Sequence, residues 1–542
     1  MLPNATHVQV AFILGPLTHL CLFIHGELNR YAVQIAASFV LAFFTTVVVI
    51  YRLEPDIIAS IVKANVLIFT YLVALGGSIL TYRVFFHRLR QFPGDAIDSL
   101  SKWGAVFKAQ RNAQYYLELR DLHKKYGDFV RIGPSELSIS NVSAVRAINS
   151  SQCTKGPWYD LGGTNFNIHR TRDPEQHDRQ RVFWDKAASG TALRNFLTKI
   201  NNHVIRVVDE LDTKRPVNIT TLFETSSFEL MSSISFSEEH GQRSSQELAE
   251  MLSTLHTNQL LLIGIGHVPW VYTFREWFPF LIPSTAKFRA YASEMLNRRL
   301  ALKPTTPDLF SYLSKAENSD SPHFPVEWEA RLSTVAGSIN DSALLTAITY
   351  YLAKDQTFQS ALRAALLPLL TSGAFDPRLS IPLLEATIHE TLRLQPSIPS
   401  GTERLTPPSG LYLTSEDSCS SPPTTTNTNS TTFIPGNTIV RIPNFTICRD
   451  PRYFVSPDTF IPERWTTRGE LVRDASCFFP FGLGPYACAG KQLGLMKTRA
   501  VVAALVGAFT WRLAKGMEEA ELLGRDEFSV AFEACWVEFE RI

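Results

Sequence analysis

The chain lacks any strong excess of charge. Its 52 Lys and Arg stand against 51 Asp and Glu, for a net charge of +1. That balance excludes the basic stripe of a nucleic-acid binder and gives no sign of an acidic-substrate enzyme. Cysteine is scarce, with 7 in 542 residues: Cys21, Cys153, Cys419, Cys448, Cys477, Cys488 and Cys535. They form no C-x-x-C pair and no Cys/His cluster at zinc spacing, so a structural zinc site is excluded. The odd, scattered set is no disulfide framework either. It fits a reducing compartment, where one thiol carries chemistry and the rest are passive. No basic region precedes the first apolar stretch, which argues against a cleaved signal peptide.

What the chain does have, at its start, is apolar length. Three such stretches run over residues 8–24, 31–51 and 57–82, and the second contains no charged residue. About 20 apolar residues match the hydrocarbon thickness of a bilayer. Arg83, His87, Arg88 and Arg90 follow the third stretch, then Lys102, Lys108 and Arg111. The positive-inside rule puts this end in the cytosol. Three spans then leave the N-terminus on the far side, where Asn4-Ala5-Thr6 is a glycosylation acceptor sequence. Residues 1–91 read as a multi-pass membrane anchor, and residues 92–542 as one soluble domain beginning at the hinge-like break Phe92-Pro93-Gly94.

That domain reads as mainly α with small β-sheets. Residues 343–352 and 362–370 have helical spacing, and alternation over 125–139 suggests an antiparallel hairpin. Residues 414–432 are almost free of apolar side chains and read as a disordered loop between two short strands.

The chemistry concentrates at Phe481-Gly482-Leu483-Gly484-Pro485-Tyr486-Ala487-Cys488-Ala489-Gly490. Cys488 lies in a Gly/Pro-rich loop just before an apolar helical stretch, 493–505. Glycines let backbone approach a flat ligand. Backbone N–H groups beside the sulfur and at a helix start stabilise a thiolate. Such a thiolate is a good axial ligand for iron and favours O–O cleavage.

The loop resembles the heme-binding segment F-x-x-G-x-x-x-C-x-G of the cytochrome P-450 family. Glu390-Thr391-Leu392-Arg393 matches that family's E-x-x-R, and Phe460-Ile461-Pro462-Glu463-Arg464-Trp465 its F-x-P-E-R-W segment, in the family's order. Glu390 and Arg393 share a helix face, and Arg464 completes a triad that holds the Cys488 loop. The resemblance spans residues 92–542. It implies the cytochrome P-450 fold and heme b (iron protoporphyrin IX), with Cys488 as the metal ligand and Phe481 against the cofactor. It also implies His177, Arg181 and Arg404 as partners of the two heme propionates. Where most members carry a basic residue two places before the cysteine, this chain has Tyr486, a hydrogen-bond donor without charge.

The second departure lies in Ala336-Gly337-Ser338-Ile339-Asn340-Asp341, which resembles the family's A-G-x-D/E-T. The acid falls on Ile339, which cannot relay a proton, and the alcohol on Asn340. Asn340 and Asp341 become the catalytic candidates, Asp341 lying ~100° further round the helix.

The implied reaction is insertion of one oxygen atom from O2 into a small lipophilic substrate. Resemblance to membrane-bound fungal members implies a secondary-metabolite pathway. No flavin or nicotinamide motif is present, so electrons come from a separate NADPH-dependent reductase, with Lys491, Lys497 and Arg499 as its docking face. The apolar stretch 260–283 is expected to dip into the bilayer. The expected setting is the endoplasmic reticulum membrane, with the domain facing the cytosol. The substitutions at Ile339 and Asn340 also admit a heme-thiolate isomerase or dehydratase that needs no reductase. A non-catalytic heme sensor is the remaining alternative.

Overall fold

The computed structural model describes residues 3–161, 167–211, 213–278, 283–302, 304–314, 326–413 and 431–542. Three helices open the chain: α1 (Ala5–Thr18), α2 (Ala32–Leu53) and α3 (Ile57–Thr81). With their flanking turns, Ala5–Phe23, Asn29–Leu53 and Ile57–Phe86 are long and apolar enough to cross a membrane. Phe12, Leu41, Phe44 and Phe69 point outward, as side chains meant for lipid do.

The first helix crosses the third closely at Gly15, where a Cβ would lie 2.6 Å from the Leu75 nitrogen. Small residues permit such crossings. The loop joining α1 to α2 meets the rest of the chain. Arg172 holds Glu27 at 2.8 and 3.0 Å and Asp160 at 2.6 Å, and Asp160 holds Arg30 at 2.5 Å. This loop therefore lies on the same side as the chain that leaves α3. The expected break at Phe92-Pro93-Gly94 is not free: the Pro93 carbonyl accepts the Arg131 N–H at 2.7 Å.

The main body is helical with small sheets, as its periodicities predict. Its principal helices are α4 (Trp103–Asn112), α5 (Pro174–Ala187), α6 (Ile219–Phe236), α7 (Ser245–Ile265), α8 (Pro269–Trp277), α9 (Val326–Lys354), α10 (Pro382–Leu394) and α11 (Lys491–Ala508). A helix apolar on every side is a buried one. Accordingly α9 is enclosed from Ser342 to Tyr350 and packs against α6 and α11. Leu344, Ile348 and Leu352 meet Val502 and Leu505 in the largest core.

A five-stranded sheet combines β1 (Phe129–Gly133), β2 (Glu136–Ile139), β3 (Thr154–Lys155), β4 (Arg404–Leu405) and β5 (Ile439–Arg441) in the order β1-β2-β5-β4-β3. The β1–β2 pair is the expected hairpin. Leu411–Leu413 pairs with Thr432–Ile434, while the low-complexity residues 414–430 between them lie outside the described residues. A last hairpin joins β6 (Gly524–Glu527) to β7 (Ser529–Phe532). Of the apolar stretch 260–283, α8 packs against α2 and the turn before it, and residues 279–282 lie outside the described residues.

Candidate active site

The Cys488 loop is built by hydrogen bonds to its own backbone. The Cys488 N–H donates to the Phe481 carbonyl at 2.7 Å. Gly484 takes φ +67° against the Asn149 carbonyl, where a Cβ would sit 2.0 Å from the oxygen, so only glycine fits. The Gly490 N–H, one residue before α11, donates to the Cys488 sulfur. Cys488 retains accessible surface although protein surrounds it closely. The sulfur thus opens onto an internal space rather than onto bulk water. Burial pushes its pKa up, and the Gly490 N–H works against that shift. A bound cation would decide the contest in favour of the thiolate.

The motif residues beneath the loop assemble as the sequence predicts. Arg393 forks onto Glu390 at 2.9 and 2.8 Å, and Arg464 Nε reaches the same carboxylate at 2.9 Å. Two donors escaped sequence reasoning: the Trp465 indole at 3.0 Å and the Ile461 N–H at 2.9 Å. Both guanidiniums are fully buried and spend their remaining donors on carbonyls, among them Cys448, Pro457, Val455 and Ser456. The triad therefore ties α10 to the segment leading into the Cys488 loop.

On the other side of the loop lie two cations, Lys155 and Arg404, that have no ion-pair partner among the described residues. Lys155 and Arg404 are direct cross-strand partners on β3 and β4, a pairing that like charges destabilise. Lys155 is 3% exposed and spends its donors on the Ile168 and His169 carbonyls, at 2.6 and 2.9 Å. Burial, reinforced by Arg404, pulls its pKa down to about 7. The Arg404 Nε is buried without a partner among the described residues. Its guanidinium lies 5.2 Å from the Tyr486 ring, and the Lys155 ammonium lies 5.0 Å from it. The His177 ring meets Tyr486 edge-on at 4.8 Å. Burial first, then Lys155, lowers its pKa to about 4.

So His177, Arg404 and Tyr486 do come together, joined by a residue the sequence did not flag, Lys155. Arg181 stands with them but is partly engaged, on the Ala487 carbonyl at 2.5 Å and on Asp185 at 2.7 Å. Phe481 contributes its carbonyl to the loop and lies beneath the Lys491 ammonium. An orphaned guanidinium nitrogen and two opposed cations suit a dianionic edge, and a nearby interior thiol suits an iron. Heme, with two propionates and one metal, fits this donor set.

The helix α9 passes the same region. Ala336 is exposed and Asn340 half-buried, one turn apart and just before the fully enclosed residues 342–350. The Asn340 amide nitrogen donates back to the Ala336 carbonyl at 3.0 Å, and its oxygen has no partner among the described residues. Ile339 is turned elsewhere and lines a cleft with His256 and Val530. Asp341 forms an ion pair with Lys497 of α11, and Lys497 also donates to the Gly337 carbonyl at 2.8 Å. This corrects the expected docking face. Lys497 and Arg499 are 3% and 5% exposed, the latter paired with Glu385, so only Lys491 of the three is exposed.

Comparison with known proteins agrees with this geometry. The family model for cytochrome P450 matches residues 97–531. The cytochrome P450 monooxygenase FCK2 of Fusarium pseudograminearum is 34% identical over 97% of this chain and 96% of its own. The monooxygenase orf5 of Eupenicillium brefeldianum is 34% identical over 87% of this chain and 95% of its own. The tryprostatin B 6-hydroxylase of Aspergillus fumigatus is 30% identical over 94% and 91%. With a thiol poised over an interior space and the Glu390 triad complete beneath it, this chain belongs to the cytochrome P450 family of monooxygenases.

Proposed function

We propose that the protein is a membrane-anchored heme-thiolate monooxygenase of fungal secondary metabolism that inserts one oxygen atom from O2 into a small lipophilic substrate. As a cytochrome P450 monooxygenase it uses heme, dioxygen, a redox partner and a lipophilic substrate. The finer assignments are our reading: heme b as the cofactor, an NADPH-dependent reductase as the electron donor, and the endoplasmic reticulum membrane with the domain on the cytosolic side. Residues 1–91 form the anchor and 92–542 the catalytic domain. The observation that carries the reading is the Cys488 sulfur facing an interior space beside two cations without an ion-pair partner among the described residues.

When bound, the heme supplies activation of dioxygen at an iron held by the Cys488 thiolate. The chain does the rest. Gly490 N–H steadies the negative sulfur. Lys155 and Arg404, with Arg181, His177 and Tyr486, hold the acidic edge of the cofactor. The Asn340 carbonyl oxygen, free of other partners among the described residues, accepts a hydrogen bond from water and positions it. Asp341 lies next in the chain, buried and raised in pKa; Lys497 holds its Oδ2, and its Oδ1 exchanges the proton to be delivered. Lys497 keeps that carboxylate in place. The buried core around α9 excludes bulk water, which strengthens each of these interactions.

The test is spectroscopic. Full-length protein, reduced under carbon monoxide, gives the red-shifted Soret band of a thiolate ligand, and Cys488→Ser abolishes it. A variant that keeps the band removes Cys488 as the ligand. Turnover that proceeds without NADPH and reductase replaces oxygen insertion with an isomerase or dehydratase reaction.

A further inference from the structure

A second cleft lies between α4, the end of α7 and the β6–β7 turn. Asp526, Ser400, His267, Trp158, Phe528 and Ile263 are among its lining. Most of its charge is accounted for. Arg441 holds Glu136 at 2.5 Å and Glu403 at 2.8 Å, and Lys102 also pairs with Glu136. These two cations and two carboxylates balance. Asp526 is left over: it is 8% exposed and has no ion-pair partner among the described residues. The Ser400 hydroxyl and the Phe528 N–H donate to it, which satisfies lone pairs but not charge, and Arg441 acts on it without forming an ion pair. His267 supplies no compensation, because burial holds its imidazole neutral.

A solitary carboxylate in a largely apolar cleft is expensive, and burial pushes the Asp526 pKa up to about 6. The backbone beside it is strained as well. Phe528 closes the hairpin with φ +72°, a conformation that a bulky residue adopts only when something holds it there. Its ring is stacked on Trp158, with centroids 4.3 Å apart and planes 12° from parallel. Both rings line the cleft that Asp526 also lines, so the strained turn sets an aromatic wall in the same cleft as the carboxylate. Carboxylate and aromatic faces together attract a cation.

We propose that this cleft receives a protonated amine of the substrate, with Asp526 as counter-charge and the Trp158–Phe528 pair as the aromatic wall. The substrate class is then a lipophilic amine rather than a neutral hydrocarbon or an acid. The proposal rests on the oxygenase reading, since it takes the occupant to be the molecule oxidised.

Equilibrium dialysis of the full-length, heme-loaded chain in zwitterionic nanodiscs tests it, with empty nanodiscs subtracted. The probes are N,N-dimethyl-4-phenylbutylamine and the neutral N,N-dimethyl-4-phenylbutanamide at pH 7.5. Wild type should bind the amine at least tenfold more tightly than the amide. Asp526→Asn should remove that preference and leave amide affinity within twofold. Trp158→Leu, a second variant should the first fail to fold, should weaken the amine at least threefold more than the amide. Equal affinities in wild type, or a preference that survives Asp526→Asn, overturn the proposal. The reduced carbon monoxide spectrum of each sample is recorded separately. Loss of the thiolate band in wild type would sink the heme reading alone, because dialysis does not depend on it.

Discussion

Lys155 sets up a measurable opposition between two protons. In the protein alone, its pKa of about 7 against an ordinary 10.5 reflects burial and the facing Arg404. That difference costs the charged form about 5 kcal/mol. An anion bound between Lys155 and Arg404 restores the charge and returns the pKa toward its ordinary value. The favourable contribution to heme binding is then complete below pH 7 and is lost as pH rises from 7 toward the bound-state value. Between pH 6.5 and 8.5 the charged fraction of free Lys155 falls from about three quarters to about 3%, so this term alone weakens binding ~25-fold. Cys488 works in the other direction. Its thiol pKa lies above the ordinary 9.0, and ligation expels the proton, so affinity gains about tenfold per pH unit over the same range. Wild-type apoprotein, titrated with hemin by Soret absorbance, should therefore gain only about fourfold from pH 6.5 to 8.5. Lys155→Met, freed of the opposing term, should gain about 100-fold. Parallel pH dependences in the two proteins would refute the placement of Lys155 beside the acidic edge of the cofactor.

Glu390→Gln strips the counter-charge from two guanidiniums that are fully buried. It should cost about 3–5 kcal/mol, read as a shortened half-life of the thiolate carbon monoxide band on warming; an unchanged half-life would show that the triad carries no stability. Asp341→Asn should slow product formation roughly 100-fold while reducing equivalents escape as hydrogen peroxide, and an unchanged ratio of product to NADPH would remove Asp341 from proton delivery. Lys497→Met leaves the Asp341 carboxylate buried without its partner and should reproduce that uncoupling in weaker form; full coupling would mean that the ion pair only joins α9 to α11.

Glu390, Arg393 and Arg464 were legible as a triad through the resemblance to the family's ordered motifs, not through spacing alone, since Arg464 comes from a separate segment. Cys488 was singled out by the same resemblance. Lys155 was not legible. It meets Arg404 through strand pairing between distant segments, and two-residue strands leave no alternation to read. Lys497 and Arg499 were misread as surface cations, although a signal was present: both interrupt the apolar run of α11, and a charge inside such a run is most economically placed in a buried pair. Asp526 could not be singled out either, since its isolation depends on Arg441 and Lys102 being neutralised by carboxylates from other strands. The three long apolar helices at the start of the chain were legible, because apolar length is a property of consecutive residues.

The contacts of Arg172 reach in two directions. Toward the bilayer it grips Glu27, and inward its Nε donates to the carbonyl of Lys155 at 2.9 Å. A shortened enzyme made soluble by deleting all three apolar helices would lose Glu27 and Arg30 together, leaving Asp160 as the one carboxylate still paired with Arg172. Comparing such a fragment with the intact enzyme would thus compare two electrostatic environments around Lys155, and the leader cannot be treated as an interchangeable handle.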